Sequence, residues 1–331
     1  MEVPHPTGTV ETVGETFCRW CDQPMHPWLR VPGDWRRPAI RVEYACYWCD
    51  ACHYGELQPR PPLEDITDSY AVPYYTHEPD PGAAGGGAAS FCDRLCQHLA
   101  WRRDQGQYLT VDVVRALVAP PARICELGCG HGGFAQQLQQ AGYKVIGFDP
   151  DPKARSAAAK KGITVFVGYA ETLPPALEPG LFDVAIMSHV LEHCQEPDIA
   201  LQNVFSLLRP GGYLLCEVPN NAAAGLRISG PVWQWLDVPR HLNFFTRPSL
   251  EAACLDAGFD IANHQYAGYY RQFTGNWIQA EQQIWHTLYA DHPAPPPPPT
   301  PARTWRLLLK TFFASPASKY DSIRITARRP L

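Results

Sequence analysis

Residues 123–127, RICEL, form a short apolar run that ends in Gly128-Cys-Gly130-His-Gly132-Gly133, and a helix-forming stretch over 134–141 follows at once. A glycine-rich turn between a strand and a helix lets the backbone approach a ligand that any Cβ would push away. The next strand, 144–148, ends at Asp149, and a helix follows over 152–161. Residues 164–167, 182–187 and 213–218 are three further β-rich runs, with a helix-like stretch at 198–208. Strands alternating with helices at this spacing predict an α/β fold whose doubly wound, Rossmann-like parallel sheet is covered on both faces. Ligands of such sheets sit beyond the carboxyl ends of the strands, where the strand order reverses. The residues that count are therefore those after each strand: Gly128 and Gly130, Asp149 and Pro150, Ala170 and Glu171, and Ser188 with His189.

Two carboxylates narrow the ligand. Asp149 lies 21 residues after Gly128, at a strand end from which it can take both hydroxyls of a ribose. Gly128, Gly130 and Gly133 also satisfy the dinucleotide pattern G-x-G-x-x-G. Glu126, two residues before the first glycine, turns the reading away from a dinucleotide, because a carboxylate there suits a cationic amino group and repels a pyrophosphate.

Composition excludes several classes. With 331 residues, 45% apolar and a net charge of −5, the chain is neither disordered overall nor broadly basic. No stretch approaches the roughly 18 apolar residues of a membrane span, and the first residues carry no basic start or apolar run. A cytoplasmic protein is expected, in which the twelve cysteines are thiols and metal ligands. Five of them cluster early, as Cys18-Arg-Trp-Cys21 and Cys46-Tyr-Trp-Cys49-Asp-Ala-Cys52. Two C-x-x-C pairs at this separation predict a tetrahedral structural zinc, with Cys46/Cys49 or Cys49/Cys52 as the second pair. The composition divides the chain into a cysteine module at 1–78, a Gly/Ala-rich linker at 79–90 and an α/β domain at 91–331.

The segments ICELGCGHGGF, VIGFDPDP, GYAETLP, FDVAIMSHVLEH and LLRPGGYLLCEVPN resemble, in order, the motifs of class I S-adenosylmethionine (SAM)-dependent methyltransferases. The resemblance implies a seven-stranded sheet closed by an antiparallel strand at 323–327, with an insertion at about 267–318. It implies SAM as cofactor, with Glu126, Gly128 and Gly130 at its methionine end and Asp149 at the ribose. Pro150 and Ser188 complete the binding set. Tyr169 stands where the family usually has an aspartate, which leaves Ala170 and Glu171 for the adenine. The early cysteines are similar to a zinc ribbon of bacterial methyltransferases. That likeness favours Cys18, Cys21, Cys49 and Cys52 as ligands, with Cys46 spare.

His189-Val-Leu-Glu192-His193 spells the zinc-peptidase pattern H-x-x-E-H, with both histidines on one face of a helix. It also aligns with Glu-x-x-Glu-His of ubiquinone-pathway O-methyltransferases, a divalent-cation site whose first carboxylate is replaced here by His189. A helix-start and substrate-pocket role is the preferred reading. Residues 233–259 resemble a segment of small-metabolite methyltransferases, which implies His241 as the catalytic base, His189 as the next candidate and Arg240 as an anchor for an acidic substrate. His193 is expected to brace the fold. Trp233, Trp235, Phe244, Phe245, Tyr269 and Tyr270 are candidates for an apolar pocket. The expected function is methyl transfer to a small molecule. The alternatives are an RNA methyltransferase guided by the ribbon, or a SAM-binding interaction protein, with a homodimer or a partner protein as possible assemblies. The first 104 residues hold nine Arg, no Lys and fifteen Asp+Glu, which weighs against RNA.

Overall fold

The computed structural model describes residues 15–40, 42–65, 91–173, 177–292 and 296–331. The linker expected at 79–90 lies outside these residues. Three antiparallel strands come first: β1 (His26–Val31), β2 (Tyr44–Cys49) and β3 (Tyr54–Gln58). Helices α1 (Phe91–Arg103) and α2 (Val111–Leu117) lead into the alternating region. There β4 (Arg123–Leu127), α3 (Gly133–Gln140), β5 (Lys144–Asp149), α4 (Pro152–Ala159), β6 (Thr164–Val167), β7 (Phe182–Ser188), α5 (Pro197–Leu207) and β8 (Leu208–Pro219) follow in turn. After α6 (Ala224–Ser229) come β9 (Asn243–Phe244), α7 (Arg247–Asp256), β10 (Asp260–Ala267), α8 (Gly275–Tyr289), α9 (Pro301–Thr311), α10 (Pro316–Lys319) and β11 (Ser322–Arg328).

The large sheet has the order β10-β11-β8-β7-β4-β5-β6. Strands β8, β7, β4, β5 and β6 pair in parallel, whereas β11 lies antiparallel between β10 and β8. The seven-stranded α/β architecture and its closing antiparallel strand are as expected. Val184, Ala185, Ile186, Met187, Leu214, Leu215 and Cys216 are all buried, the continuous apolar pattern of strands covered on both faces. Because β4 lies between β5 and β7, the chain reverses direction across the sheet at β4. The turns after β4, β5 and β7 therefore open on one edge.

The second sheet, β1-β2-β3-β9, joins the N-terminal strands to the segment that follows β8. Gly55 and Glu56 of β3 pair with Phe244 and Asn243 of β9. Residue 55 is tightly packed, since a Cβ there would lie 3.1 Å from both Phe244 Cβ and the Trp48 ring. Cys18, Met25, Cys49 and Tyr54 pack in the same core as Leu191, Phe245 and Leu250. Val31, Cys46 and Leu57 share a further core with Trp233, Trp277, Ile284 and Leu288. The composition marks off an independent cysteine module, but the shared sheet and cores weld it to the α/β part. The residues between β10 and β11, where an insertion is expected, place α8 in that second core. Thr246 is the N-cap of α7, its backbone N–H donating to Ser249 Oγ at 2.8 Å in a capping box. Its hydroxyl also donates to the His53 carbonyl at 2.8 Å. No helix among the described residues is long and apolar enough to cross a membrane.

Candidate functional site

The glycine turn after β4 is held from two sides. Gly128 has φ +65°, and a Cβ there would meet Val190 Cγ2 at 2.4 Å. The Gly130 N–H donates to Asp149 Oδ2 at 2.8 Å, while Asp149 Oδ1 accepts from the Asp151 N–H at 2.9 Å. These bonds lock together the turns after β4 and β5, with Pro150 between the two bonded residues. Glu126 is buried, and its Oε2 has no hydrogen-bond partner among the described residues. Burial, with the nearby Asp149 charge adding to it, pushes the Glu126 carboxyl up to about 8. A buried orphan acceptor of this kind fits a ligand ammonium, which would restore its ionised form; the methionine end of SAM carries such a group. Ser188 lies at the end of β7, paired with Glu217 of β8.

On the adenine side, Glu171 Oε1 accepts from the Gln195 N–H at 2.8 Å, just before α5 begins. Glu171 Oε1 is thus engaged by the backbone just ahead of α5, where a carboxylate also suits the helix dipole. Ala170 is buried, with its carbonyl accepting from Asn203 Nδ2 at 2.9 Å. Tyr169 is 37% exposed.

The H-x-x-E-H segment is not a helix face. His189 has φ +57°, and only Leu191–His193 forms a single 3-10 turn. His189 Nδ1 lies 3.1 Å from Glu192 Oε1 and its Nε2 lies 3.7 Å from Glu217 Oε1. The imidazole stacks on Trp235 at 5.0 Å between centroids and 17° between planes. Burial alone would lower the His189 pKa, but the Glu192 hydrogen bond and charge, with Glu217 behind them, hold it above its ordinary value. Arg271, ion-paired to Asp321 through Nε–Oδ2 at 2.7 Å, places its Cζ 4.9 Å from the Trp235 ring.

His241, expected to be the base, does not have a base's environment. It is 2% exposed, and its Nδ1 donates to the Trp235 carbonyl at 2.9 Å. Burial, with His193 close by, drives its pKa down to about 3. Arg240 is fully buried between Asp34 (Nη2–Oδ1 2.6 Å) and Asp237 (3.1 Å), so it cannot anchor an acidic substrate. The neighbouring Arg36 and Arg37 belong to the same cluster, bonding Asp237 at 3.0 Å and Asp34 at 2.8 Å. His193 Nδ1 donates to the Arg240 carbonyl at 3.0 Å, a bracing contact. Donor atoms of Glu192, His193 and His241 lie within 4.8 Å of one another, while Glu192 Oε1 is bonded to His189. Trp233, Phe244, Phe245 and Tyr269 are core; Trp235 and Tyr270 are half-buried. Glu217 and Arg271 were not anticipated. Glu217 follows the rule of strand ends, at the carboxyl end of β8, whereas nothing in the sequence marks Arg271.

The Cys18, Cys21, Cys49 and Cys52 sulfurs lie within 4.8 Å of one another, with Cys21 and Cys49 3.6 Å apart. A tetrahedral zinc with arms of about 2.3 Å has edges of about 3.8 Å, so these thiols fit a closed structural zinc site. Cys46 is buried in the other core and takes no part.

A methyltransferase-domain family model matches residues 100–264, which leaves out the cysteine module and the residues after β10. A ubiquinone biosynthesis O-methyltransferase of Cereibacter sphaeroides is 30% identical over 170 residues, covering 46% of this chain and 68% of that protein. One from Xanthomonas campestris is 32% identical over 157 residues, covering 44% of this chain and 65% of that protein. A malonyl-[acyl-carrier protein] O-methyltransferase of Serratia marcescens is 28% identical over 138 residues, covering 41% and 52%.

Proposed function

We infer the function from one premise: the chain belongs to the class I SAM-dependent methyltransferases. Its reaction, in this reading, is transfer of the SAM methyl group to an oxygen of a small, weakly acidic molecule, with His189 as the base. The observation that carries it is the His189–Glu192 pair just past the carboxyl end of β7, the strand that pairs with Glu126's strand β4. The relatives named for O-methylation support oxygen as the acceptor, and their named small molecules support the substrate class. Twelve unpaired cysteines fit a reducing, cytoplasmic setting.

Bound SAM supplies a methyl group on a sulfonium, activated for displacement. Glu126 takes the ammonium, Gly128 and Gly130 let the backbone close on the methionine end, and Asp149 takes the ribose hydroxyls. His189 keeps its Nδ1 proton on Glu192, which leaves Nε2 to receive the acceptor's proton. The Glu192 charge stabilises the imidazolium so formed, and Trp235 fixes the ring plane. Much of the rate comes from this alignment.

Methyl-labelled SAM incubated with a small-molecule extract tests the reading. Label is expected in a low-molecular-weight product; label found only in RNA or protein would contradict it. Gly130→Asp is expected to abolish binding of the demethylated product, S-adenosylhomocysteine, because a charged side chain would fill the methionine space. Retained calorimetric binding would remove Gly130 from the site. Affinity for S-adenosylhomocysteine in the unaltered protein should rise from pH 6 toward about 8 as Glu126 ionises. Above about 8 it should fall again, because the ligand's own α-amine then loses the proton that the pairing needs. A flat profile in calorimetry would contradict the Glu126 role.

A further inference from the structure

We propose that the N-terminal strand module is a working part of the transfer site, in which Tyr54 and Arg60, acting through Asn243, position the turn that carries His189 and Glu192. The proposal rests on the reading of His189 given above.

A single 3-10 turn makes few internal hydrogen bonds, so its geometry is set by whatever binds its free carbonyls. Here Asn243 binds them. It is 1% exposed, and its Nδ2 donates to the carbonyls of Cys194 at 2.7 Å and of Leu191 and Glu192 at 3.3 Å. Its Oδ1 accepts from Tyr54 Oη at 2.6 Å and Arg60 Nη2 at 2.7 Å. Arg60 also reaches the Gln195 carbonyl at 3.1 Å. A backbone chain runs in parallel: the Leu57 N–H of β3 donates to the Leu242 carbonyl at 3.0 Å, and the Leu242 N–H donates to the Glu192 carbonyl at 2.8 Å. The turn is in effect a further rung on the module's sheet. From the cysteine turn itself, Arg19 reaches Glu196 at 3.2 Å and Asp198 at 3.3 Å, just beyond it.

Apolar packing would suffice to hold the two parts together. Buried polar groups that must all be satisfied are expensive and instead select one geometry. The geometry selected here is the 3.1 Å contact between His189 and Glu192. Displacement of such a pair by about 1 Å can cost 10²-fold in rate. Tyr54, Arg60 and Asn243 are thus positioning residues, remote from the reacting atoms.

Tyr54→Phe removes one oxygen and little else, and Asn243→Asp sets an oxygen against three carbonyls. Three measurements on the full zinc-loaded chain need no acceptor: the His189 titration by NMR, amide exchange across 189–195, and calorimetry with S-adenosylhomocysteine. In Tyr54→Phe the His189 midpoint should fall toward its ordinary value. Exchange in the turn should quicken several-fold, while the affinity changes less than twofold. Asn243→Asp should show the same signature enlarged; should it fail to fold, Tyr54→Phe decides the matter. An unmoved His189 midpoint, or an affinity that falls in step with it, would overturn the proposal. Retained turnover in His189→Ala would refute the base assignment alone, since none of these readouts depends on catalysis.

Discussion

Cys18→Ser is expected to cost this protein its fold and its cofactor binding together. A structural zinc contributes about 10–16 kcal/mol of apparent binding free energy in small zinc domains, comparable with or larger than the roughly 5–15 kcal/mol that separates a native domain from its unfolded state. A module joined only by a linker could be lost without harm to the rest. Here Cys18 and Cys49 pack into the core that also holds Leu191 and Phe245, and β3 is paired to β9. The damage should therefore spread to the large sheet. Thermal melting by circular dichroism, with and without a chelator, should show one cooperative transition that falls by many degrees on zinc removal. S-Adenosylhomocysteine binding should be lost with it. A chelated protein that melts at the same temperature and still binds would contradict the account.

His189→Ala is expected to lower turnover by about 10²–10⁴-fold, the usual contribution of a general base, with S-adenosylhomocysteine affinity retained. The pH profile gives an independent check. Glu192 and Glu217 hold the His189 pKa above its ordinary value, so kcat/KM for the acceptor found by labelling should climb with pH through a midpoint above about 6.5. Glu192→Gln removes the charge that raises it and should move that midpoint down. His241→Ala, by contrast, should mainly cost stability, because His241 is buried with its Nδ1 bonded to the Trp235 carbonyl. A pH-independent rate in the unaltered protein, or near-normal turnover in His189→Ala, would show that the acceptor arrives already deprotonated.

What was legible in the sequence follows the range of the forces involved. The βα alternation, the glycine turn and the spacing from Gly128 to Asp149 are local patterns, and β4, α3 and β5 appear at nearly the expected bounds. The choice of Cys52 over Cys46 came from the likeness to a zinc ribbon, since the spacing alone left both pairs open; in the structure Cys46 turns into a different core. The environment of His241 was not legible. Its neighbour Arg240 bonds Asp34, 206 residues away, and such a partner leaves no trace in local spacing. The bond from Glu171 to the Gln195 N–H was hidden for a related reason, since the two residues lie 24 apart in the chain. The weld between β3 and β9 was hidden because β9 is only two residues long, too short to register as a strand.

The account stands on a pocket that pairs a buried carboxylate with a cationic ligand, and calorimetry with S-adenosylhomocysteine and NAD side by side tests it most directly. It predicts one site for S-adenosylhomocysteine with micromolar-scale affinity, weakening as the pH is lowered from 8 to 6, and no measurable binding of NAD. Tight binding of NAD with none of S-adenosylhomocysteine would contradict it.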